Sequence, residues 1–76
     1  INAGQMRAAR AFLAWSQVEL AAKAGLSVPT IKRMEAGGLE KSTLANVRSV
    51  VGALEAAGCI FLPDDGNGPG VRVRCD

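Results

Sequence analysis

The chain contains no histidine, and its two cysteines, Cys59 and Cys75, lie far apart outside any CxxC arrangement. Histidine is the commonest metal ligand and a frequent general acid or base, so its absence removes the side chain on which many catalytic sites depend. Zinc and redox sites built on cysteine need closely spaced pairs, which are also missing. We therefore expect no metal, no cofactor and no enzymatic activity.

Long apolar runs are also missing, as is a basic segment followed by an apolar leader and a cleavage site. These absences predict a cytoplasmic protein that does not interact with membranes. Two free thiols are then the expected state, because the cytosol is reducing. If Phe61 faced Val73 in a hairpin, however, the same register would bring Cys59 opposite Cys75, close enough for a disulfide.

Positive charge is concentrated in one part of the chain, although the net charge is only +2. Residues 1–48 hold seven basic and three acidic side chains, whereas residues 49–76 hold two basic and four acidic ones. A basic segment of this kind is typical of a surface that binds nucleic acid. Glycine-rich GNGPG at 66–70 lacks the lysine and Ser/Thr of a phosphate loop, and we interpret it as a hairpin turn.

The segment 16–37, SQVELAAKAGLSVPTIKRMEAG, has the caps and apolar spacing of two short helices joined by a tight turn. Ser16 and Glu19 form a capping box that starts the first helix. Gly25 stands where that helix must end with a positive φ. Ala21 is small enough for a second helix to cross closely. The apolar face consists of Leu20, Ala21 and Ala24.

The second helix of this segment has the features of a recognition helix. Ser27 can cap it, and Ile31 and Met34 fall on its buried side. Its first two turns, the end that enters a major groove, present four residues on the opposite face. Arginine and lysine can bind guanine, and small apolar groups can contact the thymine methyl. The expected base contacts are Val28, Pro29, Lys32 and Arg33.

Residues 5–57 resemble the helix-turn-helix of phage repressor and Cro-like (Xre-type) transcriptional regulators. The resemblance implies that Gln17, at the start of the second helix, binds a DNA phosphate, and that Arg10 pairs with Glu35. Relatives commonly place polar, base-reading side chains where this chain has Val28 and Pro29. Direct readout is therefore expected mostly from the two basic residues that follow.

Several basic or capping residues are candidates for phosphate contact. Helix N-termini expose free N–H groups that suit a phosphate, although Ser27 could serve only as a cap. Glu35 could likewise remain solvated instead of pairing with the first helix. The expected phosphate contacts are Gln17, Ser27, Arg10 and Lys41.

Two further helices complete the expected domain. Residues 3–13 form the first, with Trp15 packed in the core beyond it. A last helix begins after Ser42 or Thr43 and ends at Gly58, and Gly52 within it suggests close packing against another helix. The expected buried stripe of the first helix is Met6, Ala9, Phe12 and Leu13. That of the last is Leu44, Val47, Val51 and Leu54.

The pattern changes to period 2 after Gly58, so we predict a β-hairpin of 59–62 and 71–75. Two strands alone are marginal, so the hairpin must pack on the helices or extend to a partner hairpin. The second option makes it a dimer element. Its expected contact residues are Phe61, Val71 and Val73.

We therefore expect a mainly α protein, with a compact four-helix repressor-like domain at 1–58 and a C-terminal β-hairpin at 59–76. The leading hypothesis is a sequence-specific transcriptional regulator, most simply a repressor, that binds an inverted repeat of double-stranded DNA as a homodimer. Two alternatives are the antitoxin of a toxin–antitoxin pair, with a toxin as partner, and an interaction module that has lost DNA binding.

Overall fold

A computed structural model describes residues 1–74 and shows four α-helices, a short 3₁₀ turn and a two-stranded antiparallel hairpin. This confirms the expected mainly α fold. The 3₁₀ turn, Leu39–Lys41, lies where the sequence suggested only a loop. The helices are α1 (Ala3–Phe12), α2 (Gln17–Ala24), α3 (Val28–Gly37) and α4 (Leu44–Ala56), and the strands are β1 (Cys59–Leu62) and β2 (Gly70–Val73).

Side-chain caps define where the helices begin. Ser16 and Glu19 form the predicted capping box of α2. An equivalent box, formed by Asn2 and Gln5, opens α1. Thr43, one of the two residues expected there, caps α4 through the N–H of residue 46. Each cap satisfies backbone donors that the helix itself leaves free.

The first two helices end in the same hydrogen-bonded turn. At the end of α1, the N–H of Trp15 donates to the carbonyl of Arg10 at 3.0 Å, and that of Ala14 donates to Ala11 at 3.1 Å. This is a Schellman motif, which requires a left-handed residue. Gly25 occupies that position after α2 with φ 70°, as predicted, whereas Ala14 occupies it after α1 with φ 57°.

The core lies where α1, α2, α3 and α4 meet the inner face of the hairpin. Of the predicted core residues of the helix-turn-helix, Leu20, Ala21, Ile31 and Met34 are inside it, whereas Ala24 and Trp15 are half-buried against it. The buried apolar residues are Met6, Ala9, Leu20, Ala21, Ile31, Met34, Leu39, Val50, Leu54 and Cys59.

Two residues expected in buried stripes are exposed: Phe12 by 68% and Leu44 by 64%. Phe12 is the last residue of α1 and points about 120° away from Met6, given 3.6 residues per turn. Leu44 is the first residue of α4 and lies beyond the edge of the core. Val50 replaces it in the stripe.

Gly52 is also exposed, and a Cβ built there would meet no atom within 4 Å. The expectation of close helix packing at this glycine is therefore wrong.

The hairpin register pairs Phe61 with Val71, and Cys59 with Val73. The register considered from the sequence is therefore wrong by two residues, because a loop of residues 63–69 leaves Gly70 to pair with Leu62. The residue opposite Cys59 is Val73. Cys75 itself lies outside the described residues.

Hydrogen bonds attach the hairpin to α1. The side-chain amide of Gln5, which is buried, donates to the carbonyls of Leu62 at 3.0 Å and Gly70 at 2.7 Å. Phe61, Val71 and Val73 pack against the core from the inner face. The hairpin thus packs on the chain's own helices, one of the two options open from the sequence, and its pairing with a partner hairpin stays a prediction. No helix within residues 1–74 has the length and apolar character needed to cross a membrane.

Candidate nucleic-acid interface

A buried carboxylate connects the first three helices. The side chain of Glu35, on α3, is only 5% exposed. Its Oε2 accepts a hydrogen bond from Nε of Arg10 at 2.8 Å, and its Oε1 accepts one from Nη2 at 3.0 Å. Oε1 also accepts from the amide of Gln17 at 3.0 Å. The implied pairing of α1 with α3 is therefore present, and α2 contributes a third partner.

Two backbone contacts strengthen this attachment. Arg10 Nη1 donates to the carbonyl of Trp15 at 3.1 Å, so one guanidinium contacts both α3 and the α1–α2 turn. Arg7 donates to the main-chain carbonyl of Glu35. Hydrogen bonding to Glu35 raises the pKa of Arg10, which remains protonated. Together these contacts set the orientation of α3 relative to α1.

The outer face of α3 is free of such contacts. Pro29, Lys32 and Arg33 are exposed, as expected, whereas Val28 is half-buried and packs against the core. The helix begins with the Ser27 hydroxyl, which accepts the N–H of Thr30 at 3.3 Å. Pro29 fits here because the first turn of a helix has no hydrogen bond to lose.

Thr30 connects the cap to a basic side chain. Its hydroxyl lies 2.8 Å from that of Ser27 and accepts a hydrogen bond from Arg33 Nη2 at 3.3 Å. The guanidinium of Arg33 is thus held at the surface, and its other donors have no partner among residues 1–74. The sequence signal for this contact was the i, i+3 spacing of Thr30 and Arg33.

A cleft of about 530 Å³ separates the end of α3 from the start of α4. It contains two basic side chains and the N-terminus of α4, where free N–H groups and the helix dipole favour an anion. Arg33 and Lys41 therefore border the same space. The polar residues that line it are Thr30, Arg33, Lys41, Ser42, Thr43 and Asn46.

The predicted site residues fall into two groups. Val28, Pro29, Lys32 and Arg33 lie on α3, Ser27 caps its N-terminus, and Lys41 lies along the cleft beside it. Arg10 and Gln17 contact Glu35 in the interior of the domain. Four further residues contribute to the site without having been predicted as contacts from the sequence: Arg7, Thr30, Thr43 and Asn46.

Comparison with protein families identifies the same segment. A helix-turn-helix family model of the Xre/Cro-like type matches residues 6–55, about two thirds of the chain. No curated protein matches the chain. The matched residues include all of α2 and α3 and the Arg10–Glu35 pair. The chain belongs to the Xre/Cro-like helix-turn-helix family of DNA-binding transcriptional regulators.

Proposed function

We propose that this protein is a sequence-specific repressor that places α3 in the major groove of an inverted-repeat operator. The observation that carries the proposal is the contrast between the two faces of α3. Its inner face is attached to α1 and α2 through Glu35. Its outer face presents Lys32 and Arg33, neither of which forms an ion pair within residues 1–74.

Base recognition is assigned to the exposed side chains of α3. Arg33 can donate two hydrogen bonds to guanine O6 and N7, and Lys32 can donate to a guanine or a phosphate. Pro29 offers an apolar surface to a thymine methyl. Val28 is half-buried, so its part in base contact is limited to its exposed edge.

Phosphate contacts are assigned to the two sides of the recognition helix. Ser27 and the N-terminus of α3 lie on one side, and Lys41 with the N-terminus of α4 lies on the other. The side-chain amide of Gln17 donates one of its two hydrogens to Glu35, so its second hydrogen and the backbone N–H at the start of α2 can bind a further phosphate. Arg10 donates to Glu35 and to the Trp15 carbonyl, so we assign it to positioning α3.

Two copies of the domain would read two half-sites about one helical turn apart, as related dimeric helix-turn-helix proteins do. Occupation of a promoter by such a dimer would repress transcription. Phosphate contacts by lysine and arginine would supply affinity, and α3 would supply the choice of sequence.

The proposal is tested by selecting sequences from a random duplex DNA pool with the purified protein at near-physiological salt. We expect enrichment of an inverted repeat. Fluorescence anisotropy on that repeat should then show that Arg33→Ala costs about 1–3 kcal/mol and relaxes the preference at one base pair. Lys32→Ala is expected to weaken binding as well.

Arg72→Ala is the matched control, because it removes one positive charge from the outer face of the hairpin instead of from α3. It should leave the base preference unchanged. A folded protein that enriches no sequence would contradict the proposal and favour an interaction module.

A further inference from the structure

The glycine-rich loop of residues 63–69, which joins the two strands of the hairpin, lies wholly at the surface. None of its residues takes part in a backbone–backbone hydrogen bond in the part of the chain that the structure describes. Three hydrogen bonds from backbone N–H groups to two aspartate side chains hold it instead. The conformation of this loop therefore depends on Asp64 and Asp65.

Within this loop, Asn67 and Gly68 form the dipeptide in which asparagine is chemically least stable. Glycine has no Cβ to shield its backbone nitrogen, and a Cβ built at Gly68 would meet no atom within 4 Å. The side chain of Asn67 is exposed and forms no hydrogen bond within residues 1–74. The amide carbon of Asn67 is therefore open to attack by the backbone nitrogen of the next residue.

We propose that Asn67 is a site of spontaneous deamidation and that Asp64 limits its rate. The Gly68 nitrogen loses its proton to hydroxide and bonds to Cγ of Asn67. The Cγ–Nδ2 bond breaks, and ammonia leaves with a proton taken from water. Water then opens the resulting cyclic imide at either of its two carbonyls. The products are an aspartate and an isoaspartate, in which the backbone runs through the side-chain carbonyl.

The carboxylate of Asp64 restrains the attacking nitrogen. Its Oδ1 accepts the N–H of Gly68 at 3.0 Å and that of Gly66 at 2.9 Å. Because the first of these hydrogen bonds must break before the nitrogen can lose its proton and turn towards Cγ, it slows ring closure. Asp65 accepts the N–H of Asn67 at 3.0 Å and does not contact the attacking nitrogen. The two aspartates therefore have different effects on the reaction.

The other two asparagines of the chain are held in helices. Oδ1 of Asn2 accepts a backbone N–H of the first turn of α1 at 2.8 Å, which fixes its side chain in the cap. Asn46 lies inside α4 and precedes the β-branched Val47, whose N–H donates to the carbonyl of Thr43 at 3.1 Å. Ring closure at either position would disrupt the first turn of a helix. Conversion is therefore expected at Asn67 alone.

Deamidation would change the charge of the loop and leave the fold in place. Each event lowers the net charge of +2 by one and adds a carboxylate beside Asp64 and Asp65. The ends of the loop remain attached to α1, because Gln5 donates to the carbonyls of Leu62 and Gly70. The inference does not rest on the proposed function, since none of these residues is assigned to DNA.

Peptide mapping by mass spectrometry tests the proposal on the native chain. After incubation in mildly alkaline buffer, we expect the mass gain of an amide converted to an acid at Asn67 and at neither Asn2 nor Asn46. Asn67→Gln should show no gain at that position, because ring closure through the longer side chain is slower. The chain unfolded in guanidinium chloride sets the time of incubation. A native Asn67 that stays unmodified while the unfolded chain converts, or equal conversion at all three asparagines, would overturn the proposal.

A matched pair of variants tests the role of Asp64. Asp64→Ala and Asp65→Ala each remove one negative charge from the loop, but only the first frees the N–H of Gly68. We expect Asp64→Ala to convert at Asn67 about threefold or more faster than Asp65→Ala, the effect of losing one hydrogen bond. Asp64→Asn keeps an acceptor oxygen and should stay near the rate of Asp65→Ala. Circular dichroism checks that each variant is folded. Equal rates in the two alanine variants, or a slower rate in Asp64→Ala, would overturn the proposed restraint.

Discussion

Arg10 and Glu35 form a two-point ion pair between α1 and α3, with contacts of 2.8 and 3.0 Å between guanidinium nitrogens and carboxylate oxygens. The carboxylate side is almost fully buried. Both charges are paired and further hydrogen-bonded, which offsets part of the cost of removing them from water. This buried pair is thus one of the contacts that orient the recognition helix, together with those of Arg7 and Gln17.

Removing one partner of this pair should destabilise the fold. We expect Arg10→Met to lower the free energy of unfolding by about 3 kcal/mol, because it leaves the Glu35 carboxylate buried without its counter-charge. Urea denaturation followed by circular dichroism measures the change.

The control for that experiment is Arg72→Met, an exposed site where we expect a change within about 0.5 kcal/mol. Adding Glu35→Gln to Arg10→Met should recover part of the loss, since the uncharged amide costs less to bury. Equal stability of Arg10→Met and the native chain would show that the pair contributes nothing to the fold.

Ala14 is expected to be a site of stored strain. Its φ of 57° lies in the left-handed region, which glycine adopts more readily. Ala14→Gly should therefore raise the free energy of unfolding by about 1 kcal/mol. Gly25→Ala, at the equivalent position after α2, should lower it by a similar amount in the same thermal or urea assay. Changes of the same sign in both variants would contradict this reasoning.

Gly52 lies inside α4 with no neighbour near a built Cβ. Gly52→Ala should stabilise the protein by about 1 kcal/mol, because alanine restricts the unfolded chain and favours the helix. Thermal unfolding measures the shift, and Ala45→Gly, at an exposed site in the same helix, should produce the opposite one. A loss of stability in Gly52→Ala would indicate that the position is packed.

Burial raises the pKa of the Cys59 thiol. The folded chain then holds this proton more tightly than the unfolded one, so the thiol's contribution is fully present below the unfolded pKa of about 8.5. It is lost as the pH rises through the folded pKa. In a Cys75→Ser background, the free energy of unfolding of the chain with Cys59 should exceed that of Cys59→Ala by an amount that shrinks as the pH rises above about 8.5, measured by urea titration at each pH. An advantage that does not change with pH would contradict the shift.

Lys41 borders the cleft at the N-terminus of α4. If it contacts a phosphate, Lys41→Ala should weaken operator binding evenly across sequences and reduce the slope of log K against log salt by about 1. Anisotropy titrations at several salt concentrations measure that slope. Arg72→Ala should leave the slope unchanged. Equal effects of the two variants would show that Lys41 contributes only to the overall positive potential of the protein and does not contact a phosphate.

Local signals predicted the helix-turn-helix accurately. Ser16, Glu19 and Gly25 act within a few residues of their own position, so the start and end of α2 could be inferred from sequence. The same holds for Ser27 at the start of α3. The Arg10–Glu35 pair came from resemblance to a family, since nothing local relates two residues so far apart in the chain.

The sequence predicted burial less well at positions where burial depends on the packing of other helices and strands. Phe12 and Leu44 are apolar and near the expected helical spacing, yet both are exposed because the core ends before it reaches them. The hairpin register was equally uncertain from composition, because alternation determines which face is buried but does not determine which residues are opposite.

The sequence by itself determined the order of helices, their caps and the basic outer face of α3, because each depends on short-range chemistry. Only the tertiary structure decided that Gln17 and Arg7 join Glu35 and that Gln5 attaches the hairpin to α1. These features depend on contacts between distant segments, whose geometry exists only once the core has packed.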